Sequence, residues 1–256
     1  MNSHTPPGAS LLVEGLGLEI GGATILKDVD LAVSPGALIG VIGPNGAGKT
    51  TLFNAVSGVV RPSAGRILLD DVDITGSSIA QRARAGLGRT FQTSSLFPRL
   101  TVLENVRLAA QAAEGGSYSM LRFPRRTDAA TERALELLAT VGLAHRAAAY
   151  AGDISHGDKR KLEIAVLLAT RSRLVLLDEP MAGVASGDVA GLVENIRALQ
   201  RDTGCTVLMV EHHIEVLMGL VDLVAVMYFG SIIAVDTPQR IMENPTVQSA
   251  YLGSAA

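Results

Sequence analysis

Long apolar runs, cysteine and net charge are what this chain of 256 residues lacks. Its longest apolar stretch, residues 223–235, is shorter than the ~20 residues a membrane-spanning helix needs and is broken by Gly230 and Ser231. No crossing of a membrane is expected, although a mean hydropathy of +0.32 suits a large permanent partner. A single cysteine, Cys205, excludes an internal disulfide framework and any Cys-rich zinc site. Lys+Arg 22 against Asp+Glu 25 leave a net charge of −3 and a pI near 6.0, which argues against a nucleic-acid partner bound by bulk positive charge. Residues 1–10 contain no Lys or Arg and no apolar run, so no secretory leader is expected. No internal repeat is evident. With 48% hydrophobic and 18% charged residues the chain is not disordered, and at this length it buries about 70–75% of its unfolded surface without staples. The expectation is a soluble globular protein of a reducing compartment.

What is present alternates between two patterns. From Leu11 to about Leu69, short apolar runs separated by Gly, Pro and Asp predict strands, and Ala37–Ile42 is apolar enough to be a parallel strand buried on both faces. A helix is expected after Gly48, ending near Gly58. From about Ser94 to Thr170 the spacing becomes helical: Ala134, Leu137, Leu138 and Val141 with a stop at Gly142, then Leu162, Ala165, Val166 and Ala169. Strands return at Leu174–Leu177, Thr206–Val210 and Val224–Met227, with a helix over about 187–202. The pattern predicts an α/β sheet domain carrying a mostly helical insertion.

Gly43-Pro44-Asn45-Gly46-Ala47-Gly48-Lys49-Thr50-Thr51 joins the buried strand to the helix. Glycines there let backbone N–H groups wrap a phosphate; Lys49 supplies charge to the β- and γ-phosphates and the Thr50 hydroxyl can ligate Mg²⁺. Leu174-Val175-Leu176-Leu177-Asp178-Glu179 is an apolar strand ending in two acids. That pattern puts Asp178 beside the Mg²⁺ shell and Glu179 where it can polarise an attacking water. Kinases, GTPases and helicases share this much.

Ile154-Ser155-His156-Gly157-Asp158, with Ser155 lying 23 residues before Asp178, narrows the choice. Taken alone it is an ordinary helix start, with Ser155 as N-cap and Asp158 in the first turn. In this order with the other motifs it resembles the signature of ATP-binding subunits of ABC transporters. Gly88-Arg89-Thr90-Phe91-Gln92, Arg160-Lys161-Leu162-Glu163-Ile164-Ala165, Val210-Glu211-His212 and Ala250-Tyr251-Leu252-Gly253 look most like those of branched-chain amino-acid importers, as does the stretch 113–128 with Arg122, Arg125 and Arg126. The arginines individually suit a solvated basic loop.

The resemblance spans about 11–252 and implies a P-loop NTPase (RecA-like) fold: a parallel sheet core, an N-terminal antiparallel β subdomain and an inserted α-helical subdomain. Its single ATPase domain would occupy 11–253, with a nucleotide-binding core at 11–93 and 163–235, a helical signature subdomain at about 94–162 and a tail at 236–256. It implies ATP and Mg²⁺ as cofactors, bound by the phosphate loop, by Gln92 of the Q-loop and by Ser155 and Gly157 acting on a partner's ATP. Thr50, Gln92 and Asp178 would serve the metal; Glu179, His212 and Lys49 would carry the chemistry. His213, next to His212 on the strand, is expected to face the other way, so the two cannot share a metal. The implied partners are a second ATP-binding subunit (identical or related), two transmembrane permease subunits and, indirectly, an extracytoplasmic substrate-binding protein, with no nucleic acid. The expected location is peripheral, on the cytoplasmic face of the inner membrane.

Four positions depart from the pattern. Ile20 stands where the family stacks an aromatic on adenine, Ala185 (in Met181-Ala182-Gly183-Val184-Ala185) replaces a polar residue of the D-loop, and His156 and Asp158 alter the signature. Import of urea or short amides, a lipid-linked exporter and a soluble non-transport ATPase of the same class are the alternative functions.

Overall fold

The structure, a computed structural model, describes residues 8–90, 96–113 and 129–252. In chain order these form β1 (Leu11–Ile20), β2 (Ala23–Val33), β3 (Leu38–Ile42), α1 (Lys49–Ser57), β4 (Ala64–Leu69), β5 (Val72–Asp73), α2 (Ile79–Arg84) and β6 (Leu87–Arg89). Then come the helices α3 (Val102–Ala113), α4 (Ala129–Thr140) and α5 (His156–Thr170). The remainder is β7 (Leu174–Asp178), α6 (Ser186–Thr203), β8 (Thr206–Val210), α7 (Ile214–Met218), β9 (Leu223–Tyr228), β10 (Ser231–Asp236), α8 (Pro238–Glu243) and α9 (Pro245–Leu252). The described residues divide into two compact units, one built on sheets and one on helices.

The sheet unit takes in residues up to Arg89, then Arg173–Pro180, then the chain from Gly204 on. It holds two sheets. The first is antiparallel, in order β2-β1-β4-β5; the second, in order β10-β9-β3-β8-β7-β6, is parallel except for its edge strand β10. β3, β7 and β8 are buried at every residue, as their unbroken apolar text demands of strands covered on both faces. Val13, Leu31 and Ile67 from the first sheet, Leu52 and Phe53 from α1, and Val41, Leu176 and Val210 from the second belong to one continuous core. Full burial of each such side chain contributes roughly 1.5–3 kcal/mol. The apolar stretch 223–235 folds as the β9–β10 hairpin, and among the described residues no helix is long and apolar enough to cross a membrane.

The helical unit contains α3, α4, α5 and α6. The spacing read from the sequence buries Ala134, Leu137 and Leu138 on α4 and Leu162, Ala165 and Ala169 on α5; Val166 is half-buried. Thr101 and Glu104 start α3 with a reciprocal capping box: the Thr101 N–H donates to Glu104 Oε2 (2.9 Å) and the Glu104 N–H to Thr101 Oγ1 (3.1 Å). Those bonds from Thr101 hold the Glu104 carboxyl below the usual range. On α5 an ion pair, Arg160 Nη1 to Glu163 Oε2 at 2.9 Å, is almost fully buried.

Candidate functional site

The phosphate loop lies between β3 and α1, where the sequence predicts it. Gly43 is obligatory on steric grounds, because a Cβ there would sit 2.2 Å from the Met227 carbonyl oxygen of β9. Gly48, at φ +100°, is the N-cap of α1 and offers no side-chain cap, and the first turn contains no acid. The Leu52 N–H donates back to Gly48 O, which leaves the Lys49, Thr50 and Thr51 N–H groups ahead of the first intrahelical bond. An uncapped helix start without acidic residues is a cradle for an anion.

Lys49 is nearly buried, and its Nζ donates to Gly43 O (2.6 Å) and Pro44 O (3.0 Å), turning those carbonyls inward. Burial lowers the pKa of this ammonium, and the negative charge of Glu179 works against that shift. Thr50, Asn45 and Gly46 are exposed; Ala47 is buried and its carbonyl accepts from the Gly230 N–H at 3.0 Å.

Two further strand ends meet this loop in the sheet unit. Asp178 closes β7 and is 1% exposed; its Oδ2 accepts from Arg89 Nη2 at 3.0 Å. Arg89 Nη1 also donates to Asn54 Oδ1 (2.8 Å) and Ser57 Oγ (2.6 Å) of α1, so one guanidinium ties the phosphate-loop helix to the acidic strand end. Arg-to-carboxylate bonds are the strong, oriented kind.

Glu179 follows at φ +48°, a left-handed backbone that a non-glycine residue adopts only under constraint. The constraint is its N–H, which donates to Val210 O at 2.9 Å. Its Oε1 lies 2.9 Å from His212 Nε2. The carboxylate–imidazole pair can accept or pass on a proton.

β8 ends at Val210, so the alternation expected of a strand does not reach His212 and His213. The rings nevertheless part: His212 goes to Glu179, and His213 Nδ1 lies 3.2 Å from Glu211 Oε2. Among the described residues no group of three or more His, Cys, Asp and Glu could hold a metal. A metal here would have to complete its shell with oxygens of a ligand, which is how Mg²⁺ is bound beside phosphates.

In the helical unit Ser155 caps α5, its Oγ accepting from the Asp158 N–H at 3.1 Å. Gly157 is buried, and a Cβ there would stand 3.3 Å from Asp188 Oδ2. His156 Nε2 lies 3.1 Å from the Ala182 carbonyl oxygen, joining the start of α5 to the 181–185 turn. Ala185 is exposed, and Asp158 leans towards Lys161 at 3.8 Å. Ile20, at the end of β1, is 56% exposed. Gln92, and with it Arg122, Arg125 and Arg126, lies outside the described residues.

Sequence reasoning assigned no role to Arg89, Glu211 or Arg82. Arg82 is buried and donates to the Ala55 and Val56 carbonyls at the C-terminal end of α1, both at 2.6 Å. Glu211 carries a signal, a charge directly after the apolar run Val207–Val210, whereas Arg82 stands beside Gln81 and Arg84 in polar text and carries none.

A phosphate loop between a doubly buried parallel strand and a helix, with acidic strand ends beside it, defines a P-loop NTPase. Residues 26–182 match the family described as "ABC transporter", and residues 231–256 match "Branched-chain amino acid ATP-binding cassette transporter". The chain belongs to the ABC transporter family; it is a nucleotide-binding, ABC-type ATPase. It is 39% identical over 250 residues to the high-affinity branched-chain amino acid transport ATP-binding protein LivG of Escherichia coli K12, covering 96% of this chain and 98% of that one. It is 38% identical over 251 residues to the corresponding protein BraF of Pseudomonas aeruginosa, with the same coverage. Among solved structures, the ADP conformation of MJ1267, an ATP-binding cassette of an ABC transporter, superposes with a TM-score of 0.82 at 29% identity, covering 96% of this chain and 99% of that one.

Proposed function

We propose that this protein is the ATP-hydrolysing subunit that energises a membrane importer of branched-chain or other hydrophobic amino acids. The observation that carries the chemistry is the 2.9 Å contact between Glu179 and His212 at strand ends beside the phosphate loop. The cargo class is supported by the match of residues 231–256 and by the named activity of the relatives.

In this reading the backbone of Gly43, Pro44, Asn45, Gly46, Ala47 and Gly48 and the first turn of α1 at Thr51 hold the phosphates of ATP. Lys49 neutralises them. Thr50, Asp178 and Gln92 hold Mg²⁺, which when bound draws charge from the bond being broken. Glu179 orients and deprotonates the attacking water, and His212 steadies the carboxylate and the terminal phosphate. Ser155 and Gly157 present the N-terminal end of α5 to the ATP of a second ATP-binding subunit, which makes the working engine a dimer. Ile20 leaves the adenine with an aliphatic neighbour in place of an aromatic face. The dimer works against two transmembrane permease subunits on the cytoplasmic face of the membrane, with an extracytoplasmic binding protein delivering the amino acid.

The test is uptake of labelled leucine, isoleucine, valine, phenylalanine and urea in cells carrying Lys49→Ala at the native locus. Selective loss of the aliphatic amino acids is expected. Unchanged uptake of the whole panel would overturn the cargo assignment.

A further inference from the structure

We propose that Glu211 is the positioning residue for His212: its buried carboxylate fixes the backbone of the loop so that the imidazole meets Glu179. Glu211 takes no part in the proposed hydrolytic chemistry, yet its side chain is 1% exposed at the end of a fully buried strand. A carboxylate is retained in such a place only when its charge is compensated.

Oε2 of Glu211 accepts from the His212 N–H at 2.8 Å, from the His213 N–H at 3.2 Å, and lies 3.2 Å from His213 Nδ1. Bonds to an ionised acceptor are roughly twice as strong as those to a neutral one, so the loop is held by its charge as well as its shape. The His212 side chain is 47% exposed, and packing alone does not set the direction of its ring. The neighbouring residue serves the other half of the pair, since Val210 O accepts the Glu179 N–H at 2.9 Å. Adjacent residues at one strand end thus hold the backbones of both members: Val210 holds Glu179, and Glu211 holds His212. The bland alternative is that Glu211 only stabilises the turn into α7.

This inference rests on the hydrolytic reading of the Glu179–His212 pair, and its first measurement needs no activity. The ring ¹⁵N and ¹H signals of His212 are recorded in the parent protein, in Glu179→Gln as the reference for a lost contact, and in Glu211→Gln and Glu211→Ala. In Glu211→Gln the His212 signals move towards the Glu179→Gln positions, ATP affinity stays within about 2-fold, and kcat for ATP falls about 10-fold; Glu211→Ala falls further, since a misplacement of about 1 Å is able to cost ~100-fold. Unmoved His212 signals in a folded Glu211→Gln variant, or kcat and ATP affinity falling together, would show a merely structural role and overturn the proposal. Should Glu211→Ala fail to fold, the Gln variant alone decides. Absence of ATP hydrolysis in the parent protein would refute the hydrolytic reading while leaving the ring measurement to judge the positioning.

Discussion

Glu179 Oε1 and His212 Nε2 lie 2.9 Å apart although 33 residues separate them in the chain. The closeness is a product of sheet register. β7 and β8 are parallel neighbours with Asp178 opposite Val210, so the residues just beyond each strand end emerge side by side. The left-handed turn at Glu179, held by Val210 O, then swings its carboxylate out of the strand path to meet the imidazole.

Glu179→Gln removes the group able to take a proton while keeping the side chain's size. General-base loss typically lowers a rate by about 100- to 10,000-fold, so steady-state ATPase is expected to fall at least 100-fold. ATP binding survives, and the variant accumulates as an ATP-bound dimer on size-exclusion chromatography. Full turnover in this variant would remove Glu179 from the role of base.

Lys49 gives a pH signature. Burial places its pKa below the usual lysine range when no ligand is bound, with Glu179 opposing the shift. A bound triphosphate adds negative charge at the ammonium and raises that pKa. In the window between the two values, binding takes up a proton, and affinity weakens as pH rises through it. Calorimetry of ATP binding over a pH series running up to the ordinary lysine range, in two buffers of different ionisation enthalpy, is expected to show proton uptake in the parent protein and none in Lys49→Met.

Phe229 forms the β9–β10 turn with Gly230 at φ +44° and +82°, the two-residue hairpin geometry that favours Asn-Gly. Its side chain is 80% exposed, and its ring contact with Tyr228, 4.5 Å between centroids, recovers little of the strain of a bulky residue there. Phe229→Asn is therefore expected to stabilise the fold by about 1 kcal/mol, raising the thermal midpoint by about 2–4 °C, and Phe229→Val to lower it. Any other order of midpoints in a melting series of Asn, Phe and Val would contradict the strain argument.

Whatever depends on neighbours within a turn or a strand is legible in the chain alone. The glycine spacing of Gly43–Gly48, the apolar text of β3, β7 and β8, and the Ser155 cap of α5 are local, because backbone conformation and one-sided burial follow from residues a few positions apart. Partner identity was beyond it. That Arg89 would reach Asp178, 89 positions away, follows from β6 pairing with β7 at the sheet edge, and strand order is decided by how crossovers pack. The same limit applied to Glu211, a charge inside apolar text whose purpose appears only once the strand is seen to end at Val210 and the loop to turn back on the carboxylate. Local rules place the glycine loop and the helix start proposed to hold phosphate; the tertiary fold supplies the buried charges packed around them, since those bonds join segments distant in the chain and brought together only by the packed sheet.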